Sequence, residues 1–244
     1  MDHKSKRKTW IYWLSLLYCA RFKGNSRKYG VRFAAEDPGS PLRGKKIIFL
    51  GSSVTTGDSA LGDGFIEYLE KVDGVVPVKE AVSGTTLAYT GEDSYVPRML
   101  KNIPTDIRAD AFICQLSTND ATKELPIGEI SDGKSLDLFD ISTTSGAIEY
   151  IICYAKQTWN CPVYFYTGTR YESAHYASLV RRLYELQKKW DFKLIDLWSD
   201  DAFNNISESD RKLYMLPDGV HPLRAGYRYW WLPEFERALK DTLV

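Results

Sequence analysis

The stretch Lys45–Gly57, KKIIFLGSSVTTG, decides how the chain folds. Ile47 to Leu50 form a short apolar run that stops at Gly51, the pattern of a strand buried on both faces. Glycine lets the backbone turn sharply without a Cβ clash. Residues 64–72, GFIEYLEKV, then place Phe65, Ile66, Leu69 and Val72 at helical spacing. The same alternation recurs to the end of the chain. Further strands are expected at VVPVKEAV (75–82, interrupted at Pro77), ADAFICQLS (109–117), CPVYFYT (161–167) and FKLIDLW (192–198). Helices are expected at YVPRMLKNI (95–103), Ser145–Thr158 and Ala174–Trp190, and from about Leu223 to Thr242 with a bend at Pro233. Residues 123–144 are polar, with Pro and Gly, and read as a long loop. Five strands alternating with helices imply an α/β fold, a parallel sheet covered on both faces. In such sheets the working site lies beyond the carboxyl ends of the strands.

The 244 residues suit one α/β domain over 43–244, preceded by a basic and apolar arm over 1–42 that reads as helical. Thirty-two basic side chains balance 32 acidic ones, so no overall field favours nucleic acid. Cys19, Cys114, Cys153 and Cys161 form no CxxC pair and no cluster with histidine, which argues against a zinc site. Cys114 and Cys153 sit in apolar runs and read as core residues. Reduced thiols suit the cytoplasm. Trp10–Ala20 is apolar but, at 11 residues, too short for a span of about 20. Arg21, Phe22 and Lys23 stand where a signal peptide would need small residues. The run reads as an amphipathic helix docked on the domain or a partner, with membrane-surface contact through residues 10–20, or export, as the rival.

Three serines compete as nucleophiles. Ser53 falls in the turn after the first strand, where its hydroxyl faces the crevice and its N–H can meet an anion. Ser52 should point the other way. Ser59 completes a literal Gly-Asp-Ser but lies beyond Gly57, where an exposed loop or helix-capping role fits better. A P-loop fails because Asp58 replaces the lysine, and a Gly-x-Ser-x-Gly elbow fails because Thr55 replaces the second glycine. A serine hydroxyl needs a base, and the base needs an acid to fix its tautomer. Of the three histidines, His3 lies in the basic tail and His175 opens a polar helix, whereas His221 in LPDGVHP follows Asp218 by three residues. Asn119 in QLSTNDA, past the third strand, offers an amide to an oxyanion; Gly84 in AVSGTTL, past the second, offers an N–H. Taken singly, each also fits ordinary turn or cap chemistry.

GSSVTTG, VSGTT, LSTND and DGVHP, in this order, resemble the four blocks of the SGNH hydrolases, the GDSL esterase/lipase superfamily, over about Lys45–Leu239. The resemblance implies a three-layer α/β/α sandwich around a five-stranded parallel sheet, flavodoxin-like, needing neither metal nor organic cofactor. It implies Ser53 as nucleophile, His221 as base and Asp218 as its orienting acid, with Ser53, Gly84 and Asn119 forming the oxyanion hole. Ser52 stands where the family usually has Asp, and Ser117, where it has Gly, would narrow the crevice beside Asn119.

The implied activity is hydrolysis of carboxylic esters, with short acyl or O-acetyl groups on a carbohydrate or small molecule as the expected substrates. A lysophospholipase or lipase, an acyltransferase with the same triad, and a non-catalytic SGNH-like binding module are the alternatives. The aromatic and basic run YFYTGTRYESAHY, Tyr164–Tyr176, is expected near the crevice, where aromatic faces suit sugar rings.

Overall fold

The computed structural model describes residues 14–244. Five strands, β1 (Lys46–Gly51), β2 (Val76–Ala81), β3 (Ala111–Gln115), β4 (Val163–Tyr166) and β5 (Lys193–Ile195), form one all-parallel sheet in the order β2-β1-β3-β4-β5. Side chains alternate across it as strand geometry requires. Ile48, Leu50, Phe112, Cys114, Val163 and Phe165 enter one core with the helices Tyr95–Asn102, Thr144–Thr158 and Ala174–Lys189. Ile47, Phe49, Ile113, Tyr164 and Tyr166 enter the other, with Phe65 stacked on Phe235 at 4.0 Å. The architecture is the expected three-layer sandwich. All four cysteines are free and buried, as the apolar surroundings of Cys114 and Cys153 suggest.

Two expectations about proline need adjustment. β2 runs through Pro77 unbroken, because β2 is an edge strand. Val76 N–H already bonds Lys45 O across to β1 at 2.8 Å, so the position lacking an N–H, one residue on, faces outward. In the last helical run the irregularity falls one turn before Pro233, as a π turn over Tyr227–Trp231. A proline ring crowds the carbonyl four residues back, here Tyr229, and the wider turn accommodates it.

Residues 123–143 are largely irregular, with a 3-10 turn at Leu136–Leu138, and Ile127 and Ile130 pack on the core. Positions 10–13 of the N-terminal apolar run, and His3, lie outside the described residues. From 14 to 20 the chain is helical, followed by 3-10 turns at Lys23–Asn25, Arg27–Tyr29 and Val31–Phe33.

At the far end of the second core, burial and the facing carboxylate of Asp73 push the Glu236 carboxyl up to about 7. Lys240, 3.5 Å from Asp73 and 3.9 Å from Glu236, offsets only part of this. The folded state therefore favours the protonated acid. That contribution is fully present below the ordinary value of 4.5 and is lost as pH rises through about 7. Glu236→Gln is expected to melt with the wild type at pH 4 and above it at pH 8 in thermal unfolding. Equal melting at both pH values would remove this pair from the stability balance.

Candidate active site

The turn after β1 is fixed by three strands. A Cβ at Gly51 would lie 1.7 Å from Thr55 Oγ1 and 2.9 Å from Gln115 Oε1, so only glycine lets Thr55 fold back over the strand end. Gln115 Oε1, at the end of β3, accepts from Ser52 N–H (2.9 Å) and Thr55 Oγ1 (2.7 Å). Thr55 has given its proton to Gln115, so the 2.6 Å contact with Tyr166 is donated by the tyrosine on β4. Ser52 is buried toward Gln115, away from the crevice as expected. Ser53 opens the four-residue helix Ser53–Thr56, half-buried.

Ser53 Oγ lies 2.8 Å from His221 Nε2, and His221 Nδ1 lies 2.8 Å from Asp218 Oδ2. The other Asp218 oxygen accepts from the N–H groups of Val220 (2.9 Å) and His221 (3.0 Å). Burial alone would raise the Asp218 carboxyl; the His221 ring and these two N–H groups outweigh it and hold it below the ordinary value. Asp218 thus keeps its charge to lower pH than an ordinary carboxylate does. One arrangement of protons satisfies both contacts: Nδ1–H donating to the carboxylate and bare Nε2 accepting from Ser53.

Ser59 behaves unlike the expected exposed or capping serine. It is 4% exposed, caps no helix, and its hydroxyl donates to Pro222 O at 2.6 Å, directly behind His221. Asn25 reinforces the same corner. Its amide donates to Ser59 O (2.7 Å) and Cys19 O (2.9 Å), while its side-chain oxygen accepts from Arg224 N–H (3.0 Å). The N-terminal segment therefore braces the histidine loop from behind.

Gly84 follows β2 at φ +81°, open to solvent. Neither its N–H nor that of Ser53 has a hydrogen-bond partner among the described residues. Asn119, in the helix Thr118–Thr122, donates one amide hydrogen to Thr85 O at 2.9 Å, leaving a second. Ser117 does not narrow the crevice. It is fully buried and accepts from Asp120 N–H, capping the Asn119 helix.

Two buried charges that the sequence reading passed over tie these loops together. Arg98, 4% exposed, donates to Gly51 O (2.8 Å) and Thr85 Oγ1 (3.1 Å) and pairs with Glu80 at 2.7 Å. Asp120 accepts from the N–H groups of Leu87 (2.8 Å) and Ala88 (2.9 Å) and from Thr144 Oγ1 (2.9 Å), and burial raises its carboxyl. The legible signal for Arg98 was a charge three residues after Tyr95 and next to Met99, on the apolar side of its helix.

Only part of the aromatic run reaches the site: Thr169 Oγ1 donates to Gly219 O at 3.4 Å and Tyr171 packs beside Gly219, on the loop that carries His221, whereas the other tyrosines turn away. Tyr164, Tyr166 and Tyr176 are wholly buried, because β4 is covered on both faces and Tyr176 turns inward to receive Gly168 N–H at 2.8 Å. Arg170 is held by Asp201 at 2.8 Å, and His175 Nε2 contacts Leu125 O at 3.0 Å. What opens beside Gly84 is instead a polar hollow of about 510 Å³ lined by Ser83, Thr85, Thr90, Glu92, Asp93 and Lys123 among others.

No protein-family model matches the chain, and no curated protein matches it in sequence. Solved structures do match in fold. A Bacteroides ovatus protein described as a GDSL-like lipase superposes with a TM-score of 0.59 at 18% identity, over 81% of this chain and 99% of that one. A family two carbohydrate esterase from Clostridium thermocellum, in complex with cellohexaose, gives 0.58 at 11% identity, over 86% and 66%. The acetyl xylan esterase AlAXEase gives 0.55 at 20% identity, over 80% and 99%. At these identities the likeness is one of fold, and the fold is that of GDSL-type lipases and esterases.

Proposed function

We propose that the protein is a serine esterase of the SGNH type that removes short acyl groups, acetyl above all, from a carbohydrate. The observation that carries the reading is the unbroken line Ser53 Oγ–His221 Nε2, His221 Nδ1–Asp218 Oδ2, each contact 2.8 Å. Ser53 Oγ attacks the ester carbonyl carbon while Nε2 takes its proton, and the carbonyl oxygen becomes an oxyanion. The free N–H groups of Ser53 and Gly84 and the second Asn119 amide hydrogen stabilise that charge. Collapse expels the alkoxide, which takes the proton from His221, leaving an acyl-serine. His221 then deprotonates a water that attacks the acyl carbon, and returns the proton to Ser53 as the acid leaves. Asp218 keeps the ring in the required tautomer throughout.

The substrate class is supported by the hollow beside Gly84. Its hydroxyl, carboxylate and ammonium lining matches the hydroxyls of a sugar and offers little to an alkyl tail. The carbohydrate and acetyl xylan esterases of the same fold agree with this. The test is a series of chromogenic esters from acetyl to decanoyl, followed by acetylated xylo-oligosaccharides. The kcat/KM is expected to be highest for acetyl and to fall with chain length. Preference for decanoyl would overturn the short-acyl reading and leave the triad standing.

A further inference from the structure

The helical segment at 14–20 turns its apolar side outward. Leu14, Leu17 and Tyr18 are 53%, 65% and 48% exposed, whereas Cys19, on the opposite side, is 3% exposed and packs on Leu216 and Leu223. Spacings of three and four residues put the exposed apolar side chains on one stripe, and Arg21 continues it by the same spacing. In sequence, Trp10, Ile11, Tyr12 and Trp13 lead into it, and tryptophan and tyrosine are the types that favour the headgroup level of a bilayer.

Charge is as unevenly placed as hydrophobicity. The first 35 residues hold nine Lys and Arg and a single Asp, leaving 23 basic against 31 acidic in the rest of a chain that is neutral overall. Arg21, Lys23, Arg27, Lys28 and Arg32 are all exposed. Apolar stripe and positive charge thus coincide on one arm. That pairing matches an anionic lipid surface, which accepts apolar side chains and attracts lysine and arginine together. A second copy of the chain would bring nine like charges against nine.

We infer that this arm docks the protein on an anionic membrane surface. The position is informative. Phe22 lines an apolar hollow of about 510 Å³ together with Met215, Leu216, Pro217 and Gly219, rimmed by Arg211 and by Lys212 paired with Glu208 at 2.5 Å. Pro217 and Gly219 flank Asp218, so the docked face borders the loop that carries His221. A protein seated this way presents its crevice to esters held at the membrane surface. No helix among the described residues is long and apolar enough to cross a membrane, and the inference concerns contact with one leaflet.

The experiment is sedimentation of the full chain with vesicles of phosphatidylcholine alone or with roughly 30% phosphatidylglycerol, at about 0.1 M and 0.5 M salt. Binding to the anionic vesicles is expected to exceed that to neutral ones by about tenfold or more at low salt and to weaken at high salt. The Leu14→Glu/Leu17→Glu and Arg21→Glu/Lys23→Glu variants should each lose the binding. Both alter exposed side chains, so hydrolysis of a soluble acetyl ester should be unchanged. Vesicle binding is read directly, whatever the catalytic reading's fate. Absence of binding, equal binding to neutral vesicles, or binding that survives both variants would overturn the inference. So would a dimer dissociated by Leu14→Glu/Leu17→Glu with no affinity for vesicles, which would make the stripe a contact between copies.

Discussion

Ser53→Ala is expected to lower kcat for an acetyl ester by about 10⁴- to 10⁶-fold, close to 5.5–8 kcal/mol of transition-state stabilisation. The fold should survive, since Ser53 is half-buried and its hydroxyl contacts only His221 and no core group. The variant should also fail to form an adduct with a fluorophosphonate. Ser59→Ala is the informative partner. Its hydroxyl anchors Pro222 O at 2.6 Å, so its loss should cost about 1 kcal/mol of stability and loosen the His221 loop. Turnover should stay within about tenfold of wild type and labelling should persist. Mass spectrometry of the adduct decides the matter: label on Ser59 with Ser53 unmodified would reverse the assignment.

Asn119→Ala is expected to cut kcat by about 10²- to 10³-fold, roughly 2.7–4 kcal/mol, with KM little changed. One amide hydrogen is already committed to Thr85 O, which holds Asn119 beside the Gly84 turn. The variant therefore loses that tie as well as the proposed oxyanion donor. The tie alone accounts for about 1 kcal/mol of stability. A charge-stabilising donor acts only when the carbonyl oxygen becomes negative, so its loss leaves substrate binding alone. Measuring kcat, KM and the melting temperature on one preparation separates these effects. If melting falls while kcat per folded molecule holds, Asn119 is only a strut.

The parallel sheet was legible because burial on two faces needs apolar runs, and the runs at Ile47–Leu50, Ala111–Cys114 and Val163–Tyr166 have no other stable use. Ser53, Asp218 and His221 were legible for a related reason: each sits next to a glycine or proline turn at an element end, and Asp218 to His221 is a local spacing. What escaped were the long-range polar contacts. Ser59 meets Pro222 across 163 positions, Ser52 meets Gln115 across 63, and Asn25 meets Arg224 across 199. No periodicity encodes such pairs, since each partner reads locally as an ordinary loop or strand residue. Tyr164, Tyr166 and Tyr176 misled in the opposite direction. A tyrosine in a strand or helix satisfies burial and sugar stacking equally well in sequence, and only the second covering layer decides for burial.

Pro77 has a bearing on how the chain behaves before and after it folds. β2 is the margin of the sheet, and Val76 beside Pro77 is 45% exposed, so the strand offers both backbone and apolar side chain to any neighbour. The outward row of a strand edge is where foreign chains add and where cross-β growth starts. At position 77 that row carries no N–H, because Val76 points its own toward Lys45 on the inner side. An incoming strand would meet a gap in its ladder within the first residues of β2. The residue that interrupts this strand in sequence is thus one that breaks the outward ladder at an open edge of the sheet.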